Sequence, residues 1–216
     1  MKTYIIFDLD GTLLNTIDDL ASATNHALKE LGYPQHGAWV YPEMVGNGVK
    51  KLIHRALPED ARTETIERNM LAVFTEYYNE HCCDATRPYP GIDELLATLT
   101  ARGINLAVTS NKYQSAVSAI IGHYFPEANF RAVLGNEDDM PRKPDPSIVF
   151  KALSIWPTPK ADCLYVGDSG VDMETARRAC IESVGVSWGF RGIPELREAN
   201  ADHIISTPSQ ILELLG

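Results

Sequence analysis

The sequence predicts an α/β protein: a doubly wound parallel sheet with an all-helical cap inserted into it. Two observations carry this. Short, nearly continuous apolar runs alternate with helical patterns along most of the chain, as in parallel strands buried on both faces. One long stretch, from Thr16 to about Asp84, breaks the alternation with helices and no convincing strand. At 216 residues the chain is long enough for a core and a small second domain. The expected division is 1–15 with 84–216 for the core and 16–83 for the cap, hinged near Leu14–Thr16 and Asp84–Pro90.

Thr3–Leu9 reads as the first strand, followed after the cap by Asn105–Ser110, Arg131–Leu134, Cys163–Gly167, Ser183–Val186 and His203–Ile205. Helical patterns separate them at Ile92–Arg102, Gln114–Tyr124, Pro146–Leu153, Gly170–Ala179 and Pro208–Leu215. Within the cap, Ile17–Leu31 places Leu20, Ala23, Ala27, Leu28 and Leu31 near helical spacing. Val49–Leu57 repeats the pattern, and Ala61–Cys82 reads as one long helix or two. In such sheets, ligands bind at the carboxyl ends of the strands.

Composition narrows the function. A net charge of −10 argues against nucleic acid as a main partner. The four cysteines lack CxxC spacing, and adjacent Cys82 and Cys83 rarely bridge, so reduced thiols in a cytoplasmic protein are expected. No leader peptide and no membrane span are expected, since the first apolar run is short and meets aspartates at once.

Four strand ends or loops carry chemistry. The first is Asp8-Leu9-Asp10-Gly11-Thr12, two carboxylates after a buried strand and a glycine that lets the chain turn. The carboxylates share a side only while the chain stays extended, and charges at such a place need a metal, a cation or a catalytic task. The second is Thr109-Ser110-Asn111-Lys112, where a strand ends in hydroxyls and an amide able to donate to a phosphoryl oxygen. Many strands end in Ser or Asn for turn reasons alone. The third is Pro141-Arg142-Lys143-Pro144-Asp145-Pro146, one lysine held between prolines, read either as a solvated basic loop or as a rigidly placed ammonium. The fourth is Gly167-Asp168-Ser169-Gly170-Val171-Asp172, in which Asp168 is either a helix cap or a metal ligand and Asp172 either a surface residue or its partner.

In this order and spacing the four pieces resemble the motifs of the haloacid-dehalogenase-like superfamily, with a cap similar to that of its phosphoglycolate phosphatases; the match covers nearly the whole chain. The resemblance implies a magnesium-dependent phosphatase acting through an aspartyl-phosphate. It makes Asp8 the nucleophile and Asp10 the general acid and base, with Ser110, Asn111 and Lys143 on the phosphate. It gives Mg2+ to Asp8, Asp10 (through its backbone carbonyl) and Asp168, with Asp172 holding a metal-bound water or orienting the loop. Within the cap, Gly46, Asn47, Gly48 and Lys50 are the candidate substrate contacts, with Lys51, His54 and Arg55 nearby. The glycines permit close backbone approach to a small ligand, and the basic side chains either reach a substrate carboxylate or form a solvated face.

The leading substrate is 2-phosphoglycolate; pyrophosphate and other small phosphate esters are alternatives, and monomer and homodimer are both open. A dehalogenase does not need Asp10, and a β-phosphoglucomutase-like enzyme is expected to carry a histidine shortly after the first motif, where Asn15-Thr16-Ile17-Asp18-Asp19 has none. A non-catalytic binding protein on this scaffold need not keep the full motif set. Glycine usually follows the helix after the fourth motif, whereas this chain has Ala179-Cys180-Ile181. Trp39, Trp156 and Trp188 are expected to serve packing.

Overall fold

A computed structural model describes residues 1–137 and 140–216 and divides the chain into two compact units, Met1–Asn15 with Pro88–Gly216, and Thr16–Arg87. The strands are β1 (Tyr4–Phe7), β2 (Leu14–Asn15), β3 (Arg87–Pro88), β4 (Asn105–Tyr113), β5 (Phe130–Asn136), β6 (Cys163–Gly167), β7 (Glu182–Val186) and β8 (His203–Ile205). The helices are α1 (Ile17–Glu30), α2 (Tyr41–Met44), α3 (Val49–Ala56), α4 (Glu64–His81), α5 (Ile92–Ala101), α6 (Gln114–Tyr124), α7 (Ser147–Ile155), α8 (Gly170–Ala179) and α9 (Ile193–Glu198).

The first unit is built on a parallel sheet of six strands in the order β5-β4-β1-β6-β7-β8. Every residue of β1 is fully buried, as its unbroken apolar run requires. Tyr4 and Ile6 join Ala107, Leu134 and Tyr165 in a core with Ile148, Val149 and Ala152 of α7 and Ala176 and Ala179 of α8. Phe7 lies opposite both Val108 and Val166, so Asp8 leaves β1 level with Thr109 of β4 and Gly167 of β6. Strand order reverses at β1, which makes the carboxyl edge beside it the crevice where such sheets hold ligands.

The second unit is helical. Helices α1 and α3 both pack on α4, around buried Leu28, Leu52, Ile53, Met70, Phe74 and Tyr78. Buried Asp19 of α1 accepts the Ala85 and Thr86 N–H groups, each at 2.8 Å. Those bonds tie the returning chain to α1, so this unit runs to Arg87, beyond the expected boundary at 83. Among the described residues no helix is long and apolar enough to cross a membrane.

Several local expectations change. The stretch 61–82 holds a single α-helix, Glu64–His81, started by Thr63, whose side chain accepts the Ile66 N–H. Strand β4 continues past Ser110 to Tyr113 through a register shift against β5. The C-terminal Pro208–Leu214 is a 3-10 helix, and α2 and α9 are too short for periodicity to reveal. Trp39 packs against little, being 83% exposed.

Cys180, where glycine was expected, takes the left-handed cap of α8 at φ 57° and ψ 47°. A Cβ is disfavoured there and absent in glycine. Cys180→Gly is expected to raise the unfolding free energy by about 1 kcal/mol in urea melts.

Candidate active site

Asp8 leaves the end of β1 with its N–H still bonded to the Val166 carbonyl at 2.8 Å. The chain then folds back on itself: the N–H groups of Thr12, Leu13 and Leu14 all point at the Leu9 carbonyl, at 3.3, 3.1 and 3.1 Å. Gly11 makes the turn at φ 87°. Sterics also demand glycine, because a Cβ there would stand 2.3 Å from Asp168 Oδ2. Gly189 closes the other side, where a Cβ would meet Asp168 Cβ at 2.3 Å. Asp168, one residue past β6, thus sits in a slot between two glycines, and the Phe190 N–H donates to its Oδ2 at 2.6 Å. The Trp188 indole N–H donates to the Thr12 carbonyl at 3.0 Å, so this tryptophan holds the turn after Asp8 as well as packing.

Lys143 is the hub. Its ammonium contacts Asp8 Oδ1 at 2.7 Å, Asp172 Oδ1 at 2.8 Å, the Thr109 carbonyl at 3.1 Å and the Tyr165 hydroxyl at 3.2 Å. Asn111 holds the lysine backbone from both sides. Its Oδ1 accepts the Lys143 N–H at 2.9 Å, and its Nδ2 donates to the Lys143 carbonyl at 3.2 Å. The Asn111 amide, expected on a phosphate, therefore positions the lysine, because a buried loop backbone must find partners. Ser110 is buried beside it, its Oγ accepting the Lys112 N–H at 3.1 Å.

Asp172 is buried, not a surface residue. Its Oδ2 accepts from Ser169 Oγ at 2.5 Å and from the Ser169 N–H at 3.3 Å, while Ser169 Oγ caps α8 by accepting the Asp172 N–H at 3.3 Å. The cap is therefore Ser169, and Asp168 is released from that role. A Cβ on Gly167 would stand 2.3 Å from Asp172 Cβ, so glycine is what lets this carboxylate close on the strand end.

Carboxylate oxygens of Asp8, Asp168 and Asp172 all lie within 4.8 Å of one another. Burial first, and then Asp172, push the Asp8 carboxyl up to about 7, against the pull of Lys143. Burial, then Asp172 and Asp8, hold Asp168 well above the ordinary carboxylate range, with the Phe190 N–H opposing. Burial works against the Lys143 ammonium, but Asp172 and Asp8 outweigh it and keep its pKa well above 10.5. One ammonium thus under-neutralises three desolvated carboxylates. A divalent cation with oxygen ligands fits that deficit in donor type and in spacing. The Asp10 carboxylate lies outside the three, paired with Lys112 Nζ at 3.0 Å, so any metal role of Asp10 would fall to its backbone carbonyl.

The four cap candidates cluster within the helical unit. Gly46 and Gly48 take φ of 101° and 82°, and the Gly48 carbonyl accepts the Lys51 and Leu52 N–H groups that open α3. Arg55 clamps this turn, donating to the Met44 carbonyl and to Asn47 Oδ1, each at 2.8 Å. His54 is paired with Glu67 at 2.7 Å. Lys50 is exposed, beside a 260 Å³ hollow with Glu64, Glu67 and Arg68.

Sequence reasoning gave no role to Lys112, Tyr165 or Gly189-Phe190, and only packing to Trp188 of the same loop. The loop's one signal was a glycine between aromatics just past a strand end. Tyr165 read as an ordinary apolar strand residue.

A parallel α/β unit with acids and two buried lysines, Lys112 and Lys143, gathered at its carboxyl edge defines a class of hydrolase built around a buried carboxylate. Residues 5–186 match the haloacid dehalogenase-like hydrolases, and the chain belongs to that family. It is 32% identical over 211 residues to a phosphoglycolate phosphatase of Aquifex aeolicus (strain VF5), covering 98% of this chain and 95% of that one. A phosphoglycolate phosphatase of Neisseria meningitidis (serogroup A) is 34% identical over 218 residues, covering 98% and 92%. A crystal structure from Lactobacillus delbrueckii subsp. bulgaricus superposes with a TM-score of 0.92 at 33% identity, covering 100% of this chain and 99% of that one.

The raised Asp8 carboxyl has a consequence for stability. Unfolded, it titrates near 3.8; in the metal-free fold, near 7. Between those values the folded chain holds the extra proton, so raising the pH works against folding. In chelator, the unfolding free energy of wild type minus that of Asp8→Asn is expected to fall as the pH rises through that window. Urea titrations at stepped pH measure it, and a flat difference contradicts the burial argument.

Proposed function

We propose that this chain is a magnesium-dependent phosphatase that hydrolyses a small phosphate monoester, 2-phosphoglycolate foremost, through an aspartyl-phosphate on Asp8. The observation that carries the reading is the Asp8 carboxylate, buried and held 2.7 Å from Lys143 beside two further acids at the sheet edge. The names and near-complete coverage of the Aquifex and Neisseria relatives support the substrate.

A carboxylate attacking a phosphate dianion is repelled. At about 4 Å and an effective dielectric near 20 the repulsion is roughly 8 kcal/mol, which would slow attack by about six powers of ten. Cations beside the nucleophile remove that barrier. Lys143 supplies one. Mg2+, held by Asp8, Asp168 and the Asp10 carbonyl with Asp172 behind them, would supply further charge neutralisation when bound.

An Asp8 oxygen bonds to phosphorus while the ester P–O bond breaks, and Asp10 gives its proton to the departing alkoxide. Asp10 then takes a proton from the water that attacks phosphorus, releasing inorganic phosphate and restoring the Asp8 carboxylate. Ser110, the Lys143 ammonium and the backbone N–H groups that follow Ser110 are the proposed grips on the phosphoryl oxygens. Gly46, Asn47, Gly48 and Lys50 are the proposed cap contacts. The short side chains of that turn suit a small ligand. The free cysteines among the described residues fit a cytoplasmic location, and the net charge argues against nucleic acid as a main partner.

Against a panel of small phosphorylated metabolites with Mg2+, 2-phosphoglycolate is expected to rank first by kcat/KM. Chelation should abolish turnover, and Asp8→Asn should fold yet lose at least ~10,000-fold in kcat; normal activity in that variant rules the mechanism out. Asn111→Ala frees the lysine loop. It is expected to lower kcat by roughly 10- to 100-fold with little change in KM, since the loss lies in placing the charge. Steady-state kinetics on the same ester separate the two parameters.

A further inference from the structure

The Lys112 side chain has no part in the reaction as described. It stands at the carboxyl end of β4, in the irregular stretch between Thr109 and Tyr113, where a register shift re-aims side chains. Its backbone is fixed on both sides. The N–H donates to Ser110 Oγ at 3.1 Å, and its carbonyl lies so close to β5 that a Cβ on Gly135 would meet it at 2.7 Å. The side chain is 5% exposed, and its ammonium lies 3.0 Å from Asp10 Oδ1. Taking an ammonium out of water is costly unless anions surround it. The fold therefore keeps a cation at one defined place, next to the carboxylate that meets the leaving group.

Proton transfer from Asp10 needs a contact of about 2.6–3.2 Å with the bridging ester oxygen. Lys112 touches Asp10 Oδ1, so where that same oxygen carries the proton the ammonium lies within about 6 Å of the ester oxygen, two hydrogen bonds in series. In a phosphorylated 2-hydroxy acid the carboxylate carbon is two bonds from the bridging oxygen, and its own oxygens reach about 3.5 Å from it. A charge-assisted bond of about 2.8 Å from that carboxylate to Lys112 closes the triangle. Lys143 is engaged instead by Asp8 and Asp172.

We propose that Lys112 is a specificity-determining residue of the sheet unit: it receives a carboxylate on the leaving group and so selects phosphate esters of small hydroxy acids over esters of neutral alcohols. The inference rests on the phosphatase reading above and gives its substrate class a named reader.

The test compares kcat/KM for 2-phosphoglycolate with that for 2-hydroxyethyl phosphate, a neutral leaving group of the same length, in wild type, Lys112→Met and Lys112→Arg. Wild type is expected to prefer the acid by at least ~100-fold, the worth of one good charged contact. Lys112→Met should lose most of that ratio, and Lys112→Arg should recover at least about tenfold of it. A fall of both esters by one factor in Lys112→Met, leaving the ratio intact, means that Lys112 only orients Asp10 or grips the phosphoryl group, and overturns the proposal. So does a wild type without preference, whether or not the variants fold. Phosphatase activity without preference leaves the broader reading standing; no turnover of any phosphate ester removes both.

Discussion

The structure depends on one electrostatic constraint: a carboxylate that must stay ionised in a place where water cannot solvate it. Asp8 stands at the end of a fully buried strand, and two further acids converge on it. Left alone, such a group takes up a proton and loses the charge that the proposed nucleophile needs. The Lys143 ammonium at 2.7 Å holds the balance, and much of the surrounding architecture exists to keep that ammonium still. Asn111 grips its backbone, Tyr165 and the Thr109 carbonyl grip its head, and Asp172 shares its charge.

Close approach of acids is itself a steric problem, solved with glycine. Gly11 and Gly189 leave the slot that Asp168 fills, and Gly167 lets Asp172 close on the end of β6. The same sites show why charge and shape are inseparable here. Each missing Cβ brings a carboxylate closer to its neighbours, which raises the electrostatic penalty that cations must relieve. A metal-binding site and a strained set of acids are the same arrangement before and after a cation arrives.

The sheet and its edge chemistry were legible in the sequence because period and residue type agree there. Unbroken apolar runs ended in acids or hydroxyls, and parallel topology requires such ends to meet. Lys143 was legible because two prolines isolate one lysine. What was hidden depends on contacts that period does not encode. The Asn111 amide serves a backbone 32 residues away, Tyr165 reads as one more apolar strand residue, and the Trp188 loop returns to a turn 176 residues earlier. Lys112 reads as the tail of a strand end, and its contact with Asp10 lies in the irregular stretch of β4 that period does not foretell. Short elements such as α9 escaped because six residues hold too few turns for a pattern.

The most direct measurement of the central claim is rapid-quench trapping of the enzyme during turnover, followed by mass spectrometry of its peptides. The account predicts a phosphoryl group on the N-terminal peptide, on the side chain of Asp8, appearing and decaying at rates that match product release. Product formed at full rate with no phosphoryl group on that residue at any time would contradict it.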